Sequence, residues 1–368
     1  MTQAFIHFIL ISVGFILFRA WRDGRTEPAN DSALNKGEAF SPLTISVIIP
    51  ARNEELNLAQ LLPLLNQQKL PAMEIIVVDD NSSDQTAQVA RQLGANVVTP
   101  GELPAGWRGK SWACWRGAQA AQGQLLVFLD ADIMPQSQFL GWVASIWQRH
   151  RGFLTVQPHH HAPTFIEQGS AFFNVIVLAG SGQFIGPANW ARSFGPCAIC
   201  SREDYVRVGG HEQIKSAVLE HLQLGQHFRR HGYSNVAYAG RGKLQFRMYP
   251  EGLTGLIRGW SKSIALGAGS TSLPALIGIC LWIGGLFGVA SSVIQWMAGS
   301  GTIWSLLVYS VAMLQLWWIF RRTGTFSGWI VWVYPLYLTF FALIFASSTI
   351  RSFLIRKVSW KGREIKID

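Results

Sequence analysis

The sequence predicts an α/β domain with a mostly parallel sheet, flanked by transmembrane helices towards the N-terminal and C-terminal ends of the chain. Short apolar runs alternate with helical segments between residues 42 and 262. No Asp, Glu, Lys or Arg occurs between Lys262 and Arg321, and a second uncharged run precedes Arg19. Strands separated by helices favour parallel pairing with right-handed crossovers, and uncharged runs of about 20 residues can cross a bilayer.

The run from Phe5 to Phe18 is of marginal length for a membrane span. It has neither the basic residues before it nor the small residues after it that mark a cleaved signal peptide. We therefore interpret residues 1–25 as a retained anchor and residues 26–41 as a polar linker. Arg19, Arg22 and Arg25 follow the run, which favours a cytoplasmic location for the next domain.

Strands and helices alternate through the first half of the domain at residues 42–262. The run ISVIIP predicts the first strand, and EELNLAQLLPLLNQQ has helical periodicity. EIIVVDD predicts the second strand, before a helix that ends at Gly94. NVVTP, the small-residue helix SWACWRGAQAAQG and the strand LLVFL follow. Ligands of parallel sheets bind at the carboxyl ends of strands, and five polar residues fall there: Asn53, Asp79, Asp80, Asp130 and Asp132.

Residues 263–350 form the predicted C-terminal membrane region. The run from Leu273 to Phe320 fits a helical hairpin that turns at Ala298 to Thr302. Trp329 to Ile350, interrupted by Pro335, predicts either a third span or a re-entrant segment. The tail, residues 351–368, has six basic residues against two acidic ones, which favours the cytoplasm, whereas a third full span would place it outside. The expected location is the cell membrane, multi-pass, with the α/β domain facing the cytoplasm.

The formal net charge of +10 fits a membrane surface better than nucleic acid. Basic residues are concentrated beside the apolar runs, where anionic lipids attract them, and the chain has no recognised nucleic-acid-binding motif. Four cysteines in a chain that faces the cytoplasm predict no disulfide framework. Cys197 and Cys200 form a single C-x-x-C, which we interpret as two buried thiols rather than a zinc or redox site.

Asp130 and Asp132 follow the strand LLVFL with one residue between them. Like charges this close repel each other, so the pair requires a cation or hydrogen-bond donors. Mg²⁺ and Mn²⁺ prefer oxygen ligands, and Mg²⁺ commonly joins one or two carboxylates to substrate phosphates. The pair therefore predicts a divalent-metal site that holds a diphosphate, with the capping of the next helix as the alternative.

Four motifs in order, IIPARNEE, VVDDNSSDQT, GKSWACWRGAQAAQG and FLDADIMP, resemble the N-terminal half of family 2 glycosyltransferases of the GT-A fold. The later motifs GPCAICSREDYVRVGGH, RMYPEGLTGLIRGWSK and WKGR resemble bacterial enzymes that glycosylate polyisoprenoid lipids. Among these enzymes, the 4,4'-diaponeurosporenoate (carotenoid) glycosyltransferases are the most similar group, followed by hopanoid-associated transferases.

The resemblance implies Mg²⁺ or Mn²⁺ as cofactor and a nucleotide diphosphate sugar as donor. It implies a nucleoside pocket formed by five residues: Pro50, Arg52, Glu54, Asp79 and Asp80. Asp130 would lie near the ribose and the sugar, and Asp132 would be the more direct metal ligand. Lys110 either neutralises phosphate or is simply solvated.

Members of the family usually have Glu-Asp, with Asp as the general base, where this chain has Glu220 and His221. Either residue could accept the proton of an acceptor hydroxyl, and a reference pKa of about 6.5 favours His221. Glu220 could instead orient His221, and an inactive enzyme is the third possibility. Trp260 resembles a Trp that covers the acceptor site in related enzymes, and it could equally anchor the chain at the membrane interface.

The resemblance thus implies a membrane-anchored, inverting, metal-dependent hexosyltransferase. UDP-glucose is the expected donor, and the expected acceptor is a polyisoprenoid lipid such as a carotenoid carboxylate. A processive polysaccharide synthase is one alternative, although the Q-x-x-R-W sequence of such enzymes is missing. A membrane scaffold that binds sugar nucleotides without catalysis is another. A dinucleotide-dependent oxidoreductase is disfavoured because PARNEE contains no glycine.

Overall fold

The chain divides into two units. The computed structural model describes residues 2–25, 43–182, 184–186, 193–217, 219–269, 271–355, 357–360 and 363–366. The sheet unit comprises residues 22–159 and 187–246, and the helical unit comprises residues 1–21, 160–186 and 247–368. The predicted linker, residues 26–41, lies outside the described residues.

Within the described residues, the sheet unit contains a seven-stranded sheet in the order β3-β2-β1-β4-β8-β6-β9. The strands of the chain up to residue 246 are β1 Ile45–Ala51, β2 Glu74–Asp79, β3 Asn96–Val98, β4 Leu125–Leu129, β5 Ile133–Pro135, β6 Phe153–Gln157, β7 His159–His160, β8 Cys197–Ser201, β9 Asn235–Ala239 and β10 Leu244–Phe246. In the large sheet, β8 pairs antiparallel with β4 and β6, and the other neighbours pair in parallel. The predicted α/β fold with a mostly parallel sheet is confirmed.

Helices connect the strands, and the first three lie where the sequence predicts them. Those of the sheet unit are Glu55–Asn66, Thr86–Gln92, Gly109–Ala120, Phe139–His150, Arg202–Arg207 and Glu220–Arg230. Gly94, just beyond the second of these helices, has φ +83°, a left-handed conformation that glycine adopts without a Cβ clash. The predicted helix end at this glycine is therefore correct to within two residues.

The helix Gly109–Ala120 packs closely against the sheet because its inner face consists of small residues. Ala113, Gly117 and Ala118 are buried there. A Cβ atom at Gly117 would lie 2.4 Å from Cγ2 of Ile48 and 2.9 Å from Cγ2 of Val78. A helix between two parallel strands runs antiparallel to them, so the first turn of this helix lies at the carboxyl ends of the strands.

The two cysteines of the C-x-x-C lie in β8, where Cys197 is opposite Leu129 and Cys200 is opposite Leu126 of β4. Both are fully buried and neither is in a disulfide. Burial raises the pKa of both thiols, which keeps them protonated. The interpretation of this motif as two buried thiols is confirmed.

The helical unit contains the apolar segments of the sequence. Its helices are Thr2–Leu17, Ala171–Gly180, Leu253–Gly269, Leu273–Met297, Trp304–Thr323 and Tyr334–Ile355, and β11 Lys357–Trp360 pairs with β12 Arg363–Lys366. Two described segments, Leu273–Met297 and Gly328–Ile350, are long and apolar enough to cross a membrane. They indicate membrane association, although weakly, because length and composition are the whole of this evidence.

Two of the predicted spans do not reach this length and apolarity. Thr2–Leu17 is apolar but has 16 residues. Trp304–Thr323 is the second arm of the predicted hairpin, and it is less apolar because it contains Gln315 and ends with Arg321 and Arg322. Gln315 accepts a hydrogen bond from the indole of Trp282 at 2.8 Å, so this polar side chain is satisfied within the helical unit.

The segment 160–186 belongs to the helical unit, although the sequence analysis assigns it to the α/β domain. The reason is the apolar helix Ala171–Gly180. Its Phe172 packs edge-on against Phe320 at 5.4 Å, and its Phe173 stacks on Trp260 at 5.0 Å between ring centroids. Both phenylalanines are fully buried, so their burial joins this segment to the C-terminal helices.

We expect Gly117→Ala to lower the free energy of unfolding by about 1–3 kcal/mol, because the new methyl group overlaps β-branched side chains that cannot move aside. Gly141→Ala is the matched control in the helix Phe139–His150, where a Cβ would meet only Leu70 at 3.9 Å. That variant should be neutral or gain up to about 1 kcal/mol from helix propensity. Thermal unfolding of the two purified variants measures the difference, and equal stabilities would contradict the close packing.

Candidate active site

The turns that follow β1 and β2 are tied to each other by side-chain hydrogen bonds. The backbone N–H of Asn53 donates to Oγ of Ser82 at 2.9 Å, and Oδ1 of Asn53 accepts from the backbone N–H of Ser83 at 2.8 Å. Asn53 has φ +53°, a left-handed conformation that asparagine tolerates. The two acidic motifs of the sequence therefore lie at one edge of the sheet.

The five residues predicted for the nucleoside pocket lie on these two strands and their turns. Pro50 is within β1, and Asp79 ends β2 and accepts from the backbone N–H of Ser82 at 3.2 Å. Arg52 and the buried Asp80 form an ion pair at 3.9 Å. Glu54 precedes the helix Glu55–Asn66 and accepts from Nδ2 of Asn57 at 2.5 Å. The structure thus brings this set to one edge of the sheet.

Lys110 joins two carboxylates that are far apart in sequence. Its Nζ lies 2.7 Å from Oδ1 of Asp130, directly after β4, and 2.6 Å from Oε1 of Glu220, the first residue of the helix Glu220–Arg230. The exposed fractions of the three side chains are 23%, 26% and 9%, respectively. The prediction left open whether Lys110 meets phosphate or solvent, and in the structure it contacts two carboxylates.

The pKa values of this cluster follow from burial and from its charges. Burial opposes the charge of Lys110, but the carboxylates of Asp130 and Glu220 outweigh it and raise the pKa of Lys110 well above the usual value. Burial opposes the charge of Glu220 as well, but Lys110 and His221 lower its pKa. For Asp130, burial prevails over Lys110 and the pKa is raised. Glu220 is therefore a stable carboxylate and a weak proton acceptor.

Asp132 is the acidic residue of the site that remains exposed to solvent. The surrounding protein displaces much of the bulk water near its carboxylate, and the negative charges of Asp130 and Glu54 add to this effect. Together they raise the pKa of Asp132 to about 7. Crowded carboxylates are stabilised by a divalent cation with oxygen ligands, so the charge surroundings of Asp132 fit the predicted metal, although Asp130 is already paired with Lys110.

His221 is fully buried, with 1% of its surface exposed. Its Nδ1 hydrogen-bonds to the carbonyl oxygen of Gly195, and its ring lies 5.7 Å from those of Phe128 and His211. Burial lowers the pKa of His221 despite the neighbouring Glu220. The sequence favours His221 as the base, and this stays a prediction; of the two residues, Glu220 is the one that contacts Lys110.

Three buried residues near the Lys110 cluster were not predicted as functional: Cys114, Tyr205 and His211. Cys114 is one turn after Lys110, and His211 is in a 3₁₀ helix, Gly210–Ile214. Nδ1 of His211 lies 2.7 Å from the hydroxyl of Tyr205, which also accepts from the backbone N–H of His211 at 3.1 Å. The motif GGH was the available signal for His211, but the sequence could not show that it packs against His221.

Trp260 belongs to the helical unit. Its side chain is 3% exposed, and its Nε1 donates a hydrogen bond to Oγ of Ser170 at 3.0 Å. Besides stacking on Phe173, the indole meets Tyr249 edge-on at 5.7 Å. Its role at the acceptor site stays a prediction.

The arrangement of the sheet unit agrees with three comparisons with known proteins. Residues 46–208 match the family described as glycosyl transferase family 2. A 4,4'-diaponeurosporenoate glycosyltransferase of Staphylococcus aureus (strain MRSA252) is 34% identical over 340 residues, covering 89% of this chain and 90% of the relative. The enzyme of the same name from Staphylococcus haemolyticus (strain JCSC1435) is 34% identical over 356 residues, covering 90% and 91%.

Among solved structures, a mannosyltransferase from Pyrobaculum calidifontis, in complex with GDP-Man and Mn²⁺, matches with a TM-score of 0.51. It is 17% identical, and the match covers 95% of this chain and 99% of that one. At this identity the likeness shows a common fold. From the family match and the two relatives, the chain belongs to glycosyltransferase family 2 and is a glycosyltransferase similar to carotenoid glycosyltransferases.

Proposed function

We propose that this glycosyltransferase is anchored in the membrane and transfers a hexose, with inversion, from UDP-glucose to the carboxylate of a polyisoprenoid lipid of the carotenoid type. The observation that carries the proposal is the state of Glu220, a buried carboxylate with a lowered pKa that is paired with Lys110. The names of the two staphylococcal relatives, which describe a carboxylate acceptor, support the same acceptor class.

On the donor side, we assign the nucleoside to the edge formed by β1 and β2. Arg52, Asp79 and Asp80 supply polar groups there, and Pro50 and Glu54 flank them. Asp130 would face the ribose and the sugar, and Lys110 supplies positive charge beside it. The crowding of negative charge at Asp132 supports its assignment as the metal ligand, with Asp130 next to it.

A Mg²⁺ or Mn²⁺ ion held by Asp132 would neutralise the diphosphate as it leaves the sugar. The residues of the chain would orient the donor and exclude water, and Lys110 favours the ionised form of Glu220. An acceptor oxygen that attacks the anomeric carbon from the opposite side inverts its configuration. A single displacement of this kind requires no protein nucleophile.

The acceptor class follows from the bases that the site provides. A hydroxyl acceptor must lose a proton as it attacks, and a base poised near neutral pH contributes about 10²- to 10⁴-fold to such a step. Glu220 has its pKa lowered and His221 is buried, so neither is poised in this way. A carboxylic acid, with a reference pKa of about 4, is already ionised at neutral pH and needs no base. The site therefore suits a carboxylate nucleophile.

A lipid acceptor fits the apolar segments of the helical unit. Leu273–Met297 and Gly328–Ile350 have the length and composition of membrane spans, and we propose them as parts of the C-terminal membrane region, with residues 1–25 as a further anchor. The basic residues beside these segments favour a cytoplasmic catalytic domain. The proposed cytoplasmic part, residues 42–262, thus includes the segments 160–186 and 247–262 of the helical unit. Trp260 is proposed as a contact for the acceptor.

Two alternatives predict other products. A processive polysaccharide synthase would release a polymer, and a scaffold without catalysis would bind donor and release none. Neither is favoured by a specific contact within the described residues.

We expect the purified full-length enzyme to glycosylate a carotenoid carboxylic acid and to leave the matching primary alcohol unmodified. The physical reason is that the carboxylate attacks without losing a proton, whereas the alcohol requires a base. Mass spectrometry of products made from UDP-glucose would show addition of one hexose, and mild alkali would release it because the product is an ester. The Glu220→Gln enzyme should retain transfer to the carboxylate to within about tenfold, since base catalysis is not used.

An alkali-stable product, or efficient transfer to the alcohol, would contradict the carboxylate assignment. A loss of 10²-fold or more in Glu220→Gln, at the magnitude of a missing base, would restore Glu220 as the general base. Binding of UDP to each variant serves as the control for a folded donor site. A polymeric product would favour the processive alternative.

The affinity for Mn²⁺ should weaken as pH falls through about 7, where Asp132 gains its proton. Metal binding requires the deprotonated ligand, and one proton with a pKa of about 7 weakens binding roughly 20-fold between pH values of about 7.5 and 5.5. Calorimetric titration of Mn²⁺ in the presence of UDP measures this change. Asp132→Asn should abolish Mn²⁺ binding. The control Glu203→Gln, at an exposed acid of the same unit, should keep the wild-type pH dependence. A wild-type Mn²⁺ affinity that is independent of pH would contradict the assignment of Asp132 as metal ligand.

A further inference from the structure

Three elements of the sheet unit bring a thiol and two imidazoles together beside the Lys110 cluster. Cys114 comes from the helix Gly109–Ala120, His211 from the 3₁₀ helix Gly210–Ile214, and His221 from the helix Glu220–Arg230. One ligand atom of each residue lies within 4.8 Å of those of the other two. The exposed fractions are 0%, 0% and 1%, so the three side chains meet in the interior.

The ring nitrogens that remain available are the Nε2 atoms. Nδ1 of His221 donates to the carbonyl oxygen of Gly195, and Nδ1 of His211 hydrogen-bonds to the hydroxyl of Tyr205. Both Nε2 atoms are buried and have no hydrogen-bond partner within the described residues. Buried polar atoms are normally hydrogen-bonded, so two such atoms in one place require an explanation.

This pattern is typical of histidines that bind a metal ion. A metal-bound imidazole usually uses its second ring nitrogen in a hydrogen bond, often to a backbone carbonyl, which fixes the orientation of the ring. Burial also lowers the pKa of His211 and His221, which favours the neutral imidazole that a metal requires. The two Nε2 atoms without a partner in the described residues therefore support ligation, and the direction of both pKa shifts agrees with it.

The surrounding charges favour a cation at this place. Burial raises the pKa of the Cys114 thiol, and the carboxylates of Asp130 and Glu220 act in the same direction against Lys110. A thiolate forms in such surroundings when a metal ion compensates its charge. A divalent ion with one thiolate has a net charge of +1, which would balance the two carboxylates together with Lys110.

We propose that Cys114, His211 and His221 bind a transition-metal ion of the Zn²⁺ type, at a site separate from the divalent ion at Asp132. Thiolate and imidazole ligands select zinc over Mg²⁺ and Mn²⁺, which prefer oxygen. The ion joins three elements of the fold, and it holds Glu220, the residue before His221, in its place beside Lys110. The proposal does not depend on the donor or acceptor of the enzyme.

The test is the metal content of the full-length enzyme, produced in zinc-supplemented medium and purified in detergent. We expect about one zinc ion per chain in the wild type, and less than about a tenth of that in Cys114→Ala. Cys200→Ala is the matched control, because Cys200 is an equally buried thiol in β8, outside the group. Asp132→Asn should also keep its zinc.

Zinc that is absent from the wild type after reconstitution, or equal in Cys114→Ala and wild type, would overturn the proposal. Loss of zinc from Asp132→Asn would assign the ion to the acidic site and overturn it as well. If Cys114→Ala does not fold, Co²⁺ reconstitution of the wild type decides: a thiolate-to-cobalt absorption band supports the site, and its absence overturns it. None of these experiments measures sugar transfer, so the zinc proposal can fail while the proposed function holds.

Discussion

The position of the Lys110 ammonium group between two carboxylates determines the rest of the site. Asp130 follows a central strand and Glu220 begins a helix much later in the chain, and Nζ of Lys110 contacts both. Removing one partner from a buried ion pair typically costs about 3–5 kcal/mol, because the other charges remain without compensation. The three residues therefore hold the end of β4 and the start of the helix Glu220–Arg230 together, and Lys110 lowers the pKa of Glu220.

The fold holds Lys110 in place through the small-residue helix. Gly117 allows this helix to approach Ile48 and Val78 of the sheet, and the first turn of the helix consequently lies at the carboxyl ends of the strands. Asp132 lies at the same edge but remains exposed, so its crowded carboxylate is available to a cation. The same packing buries Cys114, one turn after Lys110 in this helix. The close packing of this helix on the sheet therefore places Lys110 where it contacts Asp130 and Glu220.

Much of the first half of the sheet unit could be predicted from sequence, because each strand from β1 to β4 is an apolar run that ends in polar residues. The same pattern located Asp79, Asp80, Asp130 and Asp132. The antiparallel β8 could not be predicted, because CAICS reads as a buried strand whatever the direction of its neighbours. The contact of Lys110 with Glu220 was also inaccessible, since it joins residues that are distant in sequence and depends on tertiary packing. For the same reason His221 could not be recognised as buried from the Glu-His pair alone.

The most direct test of this account is the stability of three variants, Lys110→Met, Glu220→Gln and the double variant, measured against wild type by thermal unfolding of the full-length enzyme. Lys110→Met leaves two carboxylates without their cation, whereas the double variant removes one of these charges. We expect the double variant to be more stable than Lys110→Met, with a coupling energy of about 1 kcal/mol or more. If the two substitutions instead destabilise the enzyme additively, Lys110 does not hold Asp130 and Glu220 together, and the account is wrong.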